Sequence, residues 1–231
     1  GTQKKVFHVS SQERHGKTIH GKIFEIPFSE LKAVFFVKSL EGKQDPPNLK
    51  GLMEEKGKTY IILCNHQSII DILMLYQLYF PFRWVSKIEL FRVPVVGWIL
   101  YLNKYIPVVR GDKISAEKMI RYALKSLAEG ISVLIFPEGT RTTDGNLGIF
   151  REGAFKIALE SKESILPVVI SGAFDALPKD SFWFHGKQRI IIRVLEPLNP
   201  DIYNTPDLPG LLSKVQALMS ETLQKMRENK E

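Results

Sequence analysis

A histidine and an aspartate five residues apart, His66 and Asp71, are the residues of this sequence best suited to acid–base chemistry. They follow the apolar run 60–63, which is typical of a buried strand ending at a turn, and they precede an apolar run that continues as a helix. Asn65 or Ser68 is expected to N-cap that helix. If His66 lies in the turn and Asp71 one turn inside the helix, the carboxylate can accept a hydrogen bond from one imidazole nitrogen. The other nitrogen is then free to act as a base.

A histidine held in this way suits proton transfer near neutrality, because its unperturbed pKa is about 6.5. The same residues also fit a capping histidine beside a surface aspartate, and the short motif alone leaves both interpretations open. Cys64 and Ser68 lie close enough in sequence to serve as the nucleophile of a hydrolase. However, the chain has no Gly-x-Ser-x-Gly segment, and burial of Cys64 in its strand predicts an inert thiol.

A second polar segment, Phe-Pro-Glu-Gly-Thr-Arg at 136–141, follows another strongly apolar strand. Ligands of open α/β sheets bind at such carboxyl ends of strands. Gly139 allows a tight turn whose exposed amides, together with Thr140 and Arg141, can form an anion site. Arg141 can hold a phosphate through two parallel hydrogen bonds, with Glu138 orienting the guanidinium.

Two further basic residues, Lys87 and Arg110, each stand at the end of a short predicted strand. We expect them to converge on the same anion. Taken singly, each is more typical of a surface charge, so the hypothesis depends on their meeting in space.

Composition limits the classes of protein to which the chain can belong. With 231 residues, of which 44% are hydrophobic, it can fill the core of one large α/β domain or of one domain with a small appendage. A net charge of +7 favours an anionic partner, namely nucleic acid, anionic lipid or a phosphorylated substrate. The single cysteine excludes an internal disulfide framework and suits a reducing compartment. We find no signal peptide and no apolar run of about 18 residues, so any membrane contact is expected to be peripheral or monotopic.

The chain divides into a polar N-terminal segment, residues 1–57, and a larger domain, residues 58–231. The N-terminal segment alternates with a period of two, which predicts a hairpin, although residues 29–40 fit a strand or a short helix equally well. It holds three of the five histidines, and their spacing and company do not match a metal site. We therefore interpret this segment as a small β module or an anchor.

From residue 59 onward, strands alternate with helices, the pattern of an α/β layer fold. The predicted strands are 60–63, 83–87, 105–109, 131–136, 165–171 and 189–195, and the predicted helices are 69–79, 115–129, 152–161 and 208–227. Pro107 places its strand near an edge of the sheet. Residues 94–102 are apolar all round, so they are either wholly buried or in contact with lipid. Flanking basic residues such as Arg92 and Lys104 favour the lipid interface.

Taken together, the motifs resemble those of the glycerolipid acyltransferases, and most closely the members that acylate 1-acylglycerol-3-phosphate. The resemblance is carried by Asn-His-x4-Asp at 65–71, residues 85–90, Arg110, Phe-Pro-Glu-Gly-Thr-Arg at 136–141 and residues 166–170, in that order. This sequence departs from the family's second motif, which ends at Arg110 here, because no glycine precedes the strand before that arginine. Residues 1–57 also do not supply the apolar helices with which members of the family commonly begin.

The resemblance implies a mixed, largely parallel sheet flanked by helices, with a small N-terminal appendage. It implies that His66 is the general base and that Asp71 orients it. The residues implied to shape the glycerol phosphate site are Lys87, Arg110, Glu138, Gly139, Thr140 and Arg141.

The implied reaction transfers a fatty acyl group from acyl-CoA or acyl carrier protein to the sn-2 hydroxyl of 1-acylglycerol-3-phosphate, forming phosphatidic acid. It needs no protein nucleophile, metal or permanently bound cofactor. The implied location is the cytoplasmic face of the cell membrane, with lysophosphatidic acid and the acyl thioester as partners and no nucleic acid. The alternatives are another lysolipid or glycerol phosphate as acceptor, a lipid esterase or hydrolase, and a basic nucleic-acid or lipid-binding module without chemistry.

Overall fold

The computed structural model describes most of the chain from Lys58 onward and four short strands before it. The described residues of the larger part are 58–76, 81–181, 183, 185, 188–199 and 207–228. The earlier strands are β1 (Gln12–Arg14), β2 (Lys17–Ile19), β3 (Lys22–Glu25) and β4 (Val34–Val37). The histidines of the N-terminal segment, His8, His15 and His20, lie outside the described residues.

An eight-stranded, largely parallel sheet forms the centre of the fold. The strands that follow β4 are β5 (Tyr60–Cys64), β6 (Phe82–Lys87), β7 (Ile106–Val108), β8 (Ser132–Ile135), β9 (Ser164–Ser171) and β10 (Arg189–Val194). Their order across the sheet is β3-β4-β10-β9-β5-β8-β6-β7. Strands β9, β5, β8, β6 and β7 are parallel, whereas β10 is antiparallel to β9. The predicted α/β fold with a mixed, largely parallel sheet is confirmed.

Helices connect the parallel strands and cover both faces of the sheet. They are α1 (Ile70–Leu75), α2 (Val96–Leu102), α3 (Lys113–Ala128), α4 (Gly153–Ser161), α5 (Ala173–Ala176) and α6 (Leu208–Glu228), with a 3-10 helix at Ile88–Arg92. The predicted strand ends agree with the structure to within one residue. The first predicted helix, 69–79, matches α1 at its start; α1 ends at Leu75, and residues 77–79 of the prediction lie outside the described residues.

Each face of the sheet is covered by its own hydrophobic core, and β5 shows how one strand contributes to both. Tyr60, Ile62 and Cys64 belong to one core, with α1, α2 and α5. Ile61 and Leu63 belong to the other, with α3, α4 and α6. A central strand buried on both faces needs an uninterrupted apolar run rather than an alternating one, as the sequence has here. Its carboxyl end is therefore held rigidly where the chain turns toward α1.

The N-terminal segment extends this sheet at one edge. Strand β4 pairs in parallel with β10, and β3 pairs antiparallel with β4. Strands β1 and β2 form a separate antiparallel pair. Residues 29–40, for which the pattern left strand and helix open, thus contain a strand. The division of the chain into residues 1–57 and 58–231 stays a prediction.

At the opposite edge of the sheet lies β7, which contains Pro107. A proline lacks the backbone donor that a central strand needs, so an edge position suits it. The placement predicted for this strand agrees with the structure.

Helix α2 exposes most of its apolar surface, so the wholly buried interpretation of residues 94–102 is wrong. Its buried side is small and consists of Gly97 and Leu100. The most exposed side chains are Trp98, Tyr101 and Leu102, at 70%, 78% and 76%. Among the helices that the structure describes, none is both long and apolar enough to cross a bilayer.

Candidate active site

The turn after β5 places His66 at the carboxyl end of the central sheet. Asn65 fixes the start of this turn by pairing with β9 through its side chain. Its Nδ2 donates to the carbonyl oxygen of Ile170 at 2.9 Å, and its Oδ1 accepts from the Ile170 N–H at 2.7 Å. The amide side chain thus satisfies buried backbone groups that β5 has stopped pairing.

The carboxylate of Asp71 holds the imidazole of His66. Asp71 Oδ2 lies 2.9 Å from His66 Nδ1 and also accepts the N–H groups of Gln67 at 2.6 Å and Ser68 at 2.8 Å. Asp71 is fully buried, and a carboxylate oxygen at hydrogen-bond distance from Nδ1 favours a proton on that nitrogen. The lone pair is then on Nε2, which is the arrangement required of a base. The contact that the five-residue spacing predicts is present.

The capping of α1 agrees with the prediction only in part. Asn65 is bound to β9, whereas Ser68 Oγ accepts the N–H of Ile70, the first residue of α1, at 3.4 Å and donates to the carbonyl oxygen of Leu177 at 2.6 Å. In addition, Asp71 in the first turn of α1 reaches back to the two amides before the helix. A negative charge is favourable at this end of a helix.

The turn after β8 supports the position of His66 from behind. Glu138 is 6% exposed; its Oε1 accepts the His66 N–H at 2.8 Å, and its Oε2 accepts the Gly148 N–H at 2.7 Å. Burial raises the pKa of Glu138 to about 7, and the two N–H donors oppose that rise. The expectation that Glu138 orients Arg141 is corrected, because both oxygens of the carboxylate are directed at backbone amides.

Further contacts make the two turns one unit. The Thr142 N–H donates to the carbonyl oxygen of His66 at 2.8 Å. The ring of Phe136 stacks on the imidazole, with the ring centroids 4.0 Å apart and the planes at 17°. Both the backbone and the ring of His66 are therefore positioned by the Phe-Pro-Glu-Gly-Thr-Arg segment.

Helix α6 holds the loop that follows this segment. Arg227 donates to the carbonyl oxygen of Gly145 and to the side chain of Asn146, and Gln216 donates to the carbonyl oxygen of Gly148 at 3.2 Å. From the other side, Gln67 Nε2 donates to the Gly145 carbonyl oxygen at 3.1 Å. The amide of Gly148 is thereby presented to Glu138.

A cavity of about 570 Å³ opens beside the two turns. A volume of this size suits a small-molecule site. Its wall includes one imidazole and four cationic side chains, namely His66, Lys87, Arg110, Lys113 and Arg151, and Gly139 lies beside them. The cavity lies at the carboxyl ends of β5, β6, β7 and β8, as expected for a parallel sheet.

The structure separates the predicted site residues into two groups. Those that line the cavity are His66, Lys87, Arg110 and Gly139. Those outside its lining are Asp71, Glu138, Thr140 and Arg141. The two acids act on His66 from inside the protein, and both are almost completely buried.

Sequence reasoning missed Arg151, although it shares the cavity wall with Arg110. Burial and the positive charges of Arg151 and Arg141 lower the pKa of Arg110, while Glu89 opposes this change. The signal in the sequence was a basic residue just before the start of α4, again at the carboxyl end of the sheet. This signal is weak, because the nine residues between Arg141 and Arg151 follow no strand or helix pattern.

The nucleophiles considered for a hydrolase are poorly placed. Cys64 is fully buried, and burial together with the charges of Asp71 and Glu138 raises the pKa of its thiol. Ser68 is also fully buried, and its hydroxyl is bound to Leu177. Neither residue lines the cavity. A covalent acyl–enzyme at either position is therefore disfavoured.

Comparison with known proteins bears on the same residues. The model of the acyltransferase family matches residues 40–171, more than half of the 231-residue chain and all of the predicted site residues. The chain belongs to the acyltransferase family.

Several curated relatives in this acyltransferase family carry the name 1-acyl-sn-glycerol-3-phosphate acyltransferase. One from Chlamydomonas reinhardtii is 31% identical over 169 residues, covering 72% of this chain and 49% of the relative. The chloroplastic one from Arabidopsis thaliana is 34% identical, covering 63% and 42%, and that of Saccharomyces cerevisiae is 30% identical, covering 73% and 57%. The chain thus spans about half the length of these relatives.

A solved structure shares the fold of this acyltransferase. The 1-acyl-sn-glycerophosphate acyltransferase PlsC from Thermotoga maritima superposes with a TM-score of 0.65 at 23% sequence identity, covering 83% of this chain and 73% of that one. The similarity shows that the mixed α/β layer architecture is that of a known acyltransferase.

Proposed function

We propose that this acyltransferase transfers a fatty acyl group from an acyl thioester to the sn-2 hydroxyl of 1-acylglycerol-3-phosphate, forming phosphatidic acid. One observation carries the proposal. His66, bound to a buried carboxylate through Nδ1, shares the wall of one cavity with Lys87, Arg110 and Arg151. A base and a group of cations around one cavity suit an acceptor that has both a hydroxyl and a phosphate.

In the proposed mechanism, Nε2 of His66 takes the proton of the acceptor hydroxyl as its oxygen attacks the thioester carbonyl. The tetrahedral intermediate then collapses, the C–S bond breaks, and the imidazolium returns the proton to the departing thiolate. Asp71 stabilises the imidazolium between these two steps, since a buried carboxylate lies 2.9 Å from Nδ1. The protein itself forms no covalent bond to the acyl group.

The basic residues hold the phosphate end of the acceptor in this proposal. Lys87 and Arg110 do so from the cavity wall, and Arg141, which follows Thr140 in the second turn, adds positive charge near Arg110 from outside the lining. Glu138 shapes the site by fixing the backbone of His66 rather than by contacting substrate. The donor is acyl-CoA or acyl carrier protein, each of which enters as a co-substrate and not as a resident cofactor.

A thiol-release assay tests the proposal. Purified protein is mixed with acyl-CoA or acyl carrier protein thioester and one of four acceptors: lysophosphatidate, lysophosphatidylcholine, glycerol 3-phosphate or monoacylglycerol. We expect thiol release that depends on lysophosphatidate and yields phosphatidic acid, identified by mass spectrometry. Equal thiol release without any acceptor would show a thioester hydrolase, and transfer only to another acceptor would replace the proposed substrate.

We also propose that α2 contacts the cytoplasmic face of a membrane, where lysophosphatidate resides. Trp98, Tyr101 and Leu102 are exposed on α2, and Arg92 and Lys104 lie at its two ends. Aromatic and aliphatic side chains beside basic ones are typical of an interfacial contact. The contact is peripheral.

Vesicle sedimentation tests this contact with a matched pair of tryptophans. Trp98→Ser should weaken binding to anionic vesicles by about 10- to 100-fold, because burial of one large apolar side chain contributes about 1.5–3 kcal/mol. Trp183, which is 81% exposed and lies outside α2, provides the control Trp183→Ser, expected to bind like wild type. Equal losses for both variants would contradict the assignment to α2.

A further inference from the structure

A second cavity, of about 610 Å³, lies at the edge of the sheet formed by β7, between α2 and α3. We call it the edge cleft; the lining residues that matter here are Tyr101, Leu102, Lys104, Pro107, Tyr122 and Lys125. Among the described residues, none lines both the edge cleft and the catalytic cavity. We propose that the edge cleft is a second lipid site, which binds one phospholipid with an anionic headgroup from the membrane surface. This lipid is not a substrate, because no residue of the His66 turn lines the cleft.

The apolar wall of the edge cleft continues the exposed surface of α2. Tyr101 and Leu102, two of the most exposed side chains of α2, both line the cleft. Tyr122, which is half-exposed, extends this wall from α3, and Pro107 extends it from β7. Aromatic and aliphatic side chains beside an apolar helix face suit contact with an acyl chain. A chain in the cleft would therefore adjoin the surface that we propose to meet the membrane.

Positive charge outweighs negative charge around the edge cleft. Three cationic residues line it, Arg83, Lys104 and Lys125, and Glu129 is the one acid among the described lining residues. This acid is already engaged, because its Oε2 accepts a hydrogen bond from Nη1 of Arg83 at 2.7 Å and its Oε1 lies 3.9 Å from Nζ of Lys125. One carboxylate cannot neutralise three cations, so the cleft favours a ligand with an anionic group.

Lys104 stands at a backbone position where glycine is the usual residue. Its φ is +54°; its N–H donates to the carbonyl oxygen of Tyr101 at 3.0 Å, and the N–H of Tyr105 donates to that of Leu100 at 3.0 Å. This pair of hydrogen bonds ends a helix with one residue in the left-handed region, most often a glycine. Of the three cations, Lys104 acts least on Glu129, and within the described part of the chain its ammonium forms no ion pair. A strained residue with an uncommitted charge is typical of a ligand site.

A glycerophospholipid with an anionic headgroup matches both features of the edge cleft. Its phosphate can meet Lys104 and Lys125, while one acyl chain follows the aromatic wall. A soluble anion such as glycerol 3-phosphate would use only the charges. A zwitterionic phospholipid would bring a trimethylammonium group toward the same lysines. We therefore expect phosphatidylglycerol to bind in preference to both phosphatidylcholine and glycerol 3-phosphate.

Binding of a water-soluble phospholipid tests the site without a bilayer. Dihexanoyl phosphatidylglycerol, kept below its critical micelle concentration, should raise the thermal unfolding midpoint of the full chain, and the dependence on its concentration gives Kd. Lys104→Gly should raise Kd about fivefold, the usual effect of one basic residue at a lipid surface. The same variant should not lower the midpoint of the free protein, because glycine adopts this φ without strain. Tyr122→Ser should raise Kd about tenfold through the lost apolar contact. Lys118→Gln, which changes an exposed lysine of α3 outside both linings, should bind as wild type.

Photo-crosslinking locates the bound lipid. The same short-chain phosphatidylglycerol with a diazirine in one acyl chain should label residues within 101–107 and 122–129, identified by mass spectrometry. Labelling of 84–90 or 108–116 instead would place the lipid in the catalytic cavity and overturn the proposal. Equal binding of dihexanoyl phosphatidylcholine or of glycerol 3-phosphate would also overturn it, as would an unchanged Kd in both Lys104→Gly and Tyr122→Ser.

Two comparisons separate this site from the proposed function. Trp98 does not line the edge cleft, so Trp98→Ser should keep the affinity for the soluble lipid while it loses vesicle binding. A loss of both in Trp98→Ser would reduce the cleft to part of the general membrane contact. If the soluble lipid binds as expected and acyl transfer to lysophosphatidate is absent, the lipid site stands and the proposed function fails. If transfer occurs and no lipid binds in the cleft, the lipid site is wrong and the proposed function stands.

Discussion

The turns after β5 and β8 have similar positions in the sheet, but the acid associated with each turn has a different role. Both follow buried strands that pair in parallel, and in each case one buried acid contacts His66. Asp71, in the helix after the first turn, binds the imidazole directly, whereas Glu138, in the second turn, binds the backbone of His66 and of Gly148. An acid within a catalytic motif is therefore not always a substrate contact, because both of these carboxylates are buried and bind the protein itself.

Replacement of the base gives the largest expected effect. His66→Ala should lower kcat by about 10²–10⁴-fold, since that is the usual contribution of a general base. The unfolding midpoint should change little, because the backbone N–H and C=O of residue 66 keep their partners in the second turn. The measurement is kcat by thiol release beside a thermal melt. A correctly folded His66→Ala protein with near-normal turnover would remove His66 from the mechanism.

The amide replacement Asp71→Asn tests the first carboxylate at constant shape. The amide oxygen can take the place of Oδ2 and accept the same three donors, while the lost negative charge no longer stabilises the imidazolium. We expect kcat to fall about 10- to 100-fold, as for the loss of a charge-assisted hydrogen bond worth about 1.5–3 kcal/mol. Full activity would show that Asp71 is only a helix cap.

For the second carboxylate, Glu138→Gln should affect stability more than chemistry. An amide can accept one of the two N–H groups but turns a donor toward the other, which costs about 1–3 kcal/mol of unfolding free energy. Turnover should fall less than in Asp71→Asn. Denaturant titration and kcat measurements of the two amide variants check this division of roles. A larger loss of kcat in Glu138→Gln than in Asp71→Asn would contradict it.

Glu138 also predicts a pH dependence of stability. Its pKa rises from 4.5 to about 7 on folding, so between these values the folded state holds a proton that the unfolded state releases. Stability contributed by this group is full below pH 4.5 and decreases as the pH rises toward 7, by at most about 1.4 kcal/mol per pH unit. The difference in unfolding free energy between wild type and Glu138→Gln should therefore change across this range. A constant difference would show that the carboxyl group is not perturbed.

The smallest effect is expected at Cys64, which lies beside the first turn without facing the cavity. Cys64→Ala should keep kcat within about twofold and lower stability by about 1 kcal/mol, the contribution of a small buried group. Measurement of kcat and of the denaturation midpoint checks both values. A large loss of turnover in a folded protein would bring back a thiol mechanism.

The sequence predicts the regular elements well, because the evidence for them is local. The apolar run 131–136 predicts a buried strand, and Pro107 predicts an edge position for the strand that contains it. The sequence could not predict whether α2 is buried or exposed. A segment that is apolar all round fits both a protein core and a lipid interface until the packing of its neighbours is known. The contact between Glu138 and His66 joins residues 72 positions apart, and nothing in either motif specifies it. Arg151 was missed for the same reason, as its relation to Gly139 exists only in space.

Helix α6 has a consequence for the limits of the functional unit. Every motif residue lies within 40–171, yet Arg227 and Gln216, which hold the loop behind Glu138, come from far beyond that segment. A protein trimmed to the matched segment would retain all the recognisable chemistry and lose the scaffold that aligns it. The folded unit that holds the site therefore extends beyond residues 40–171, because it includes helix α6, which packs back against the loop near Glu138.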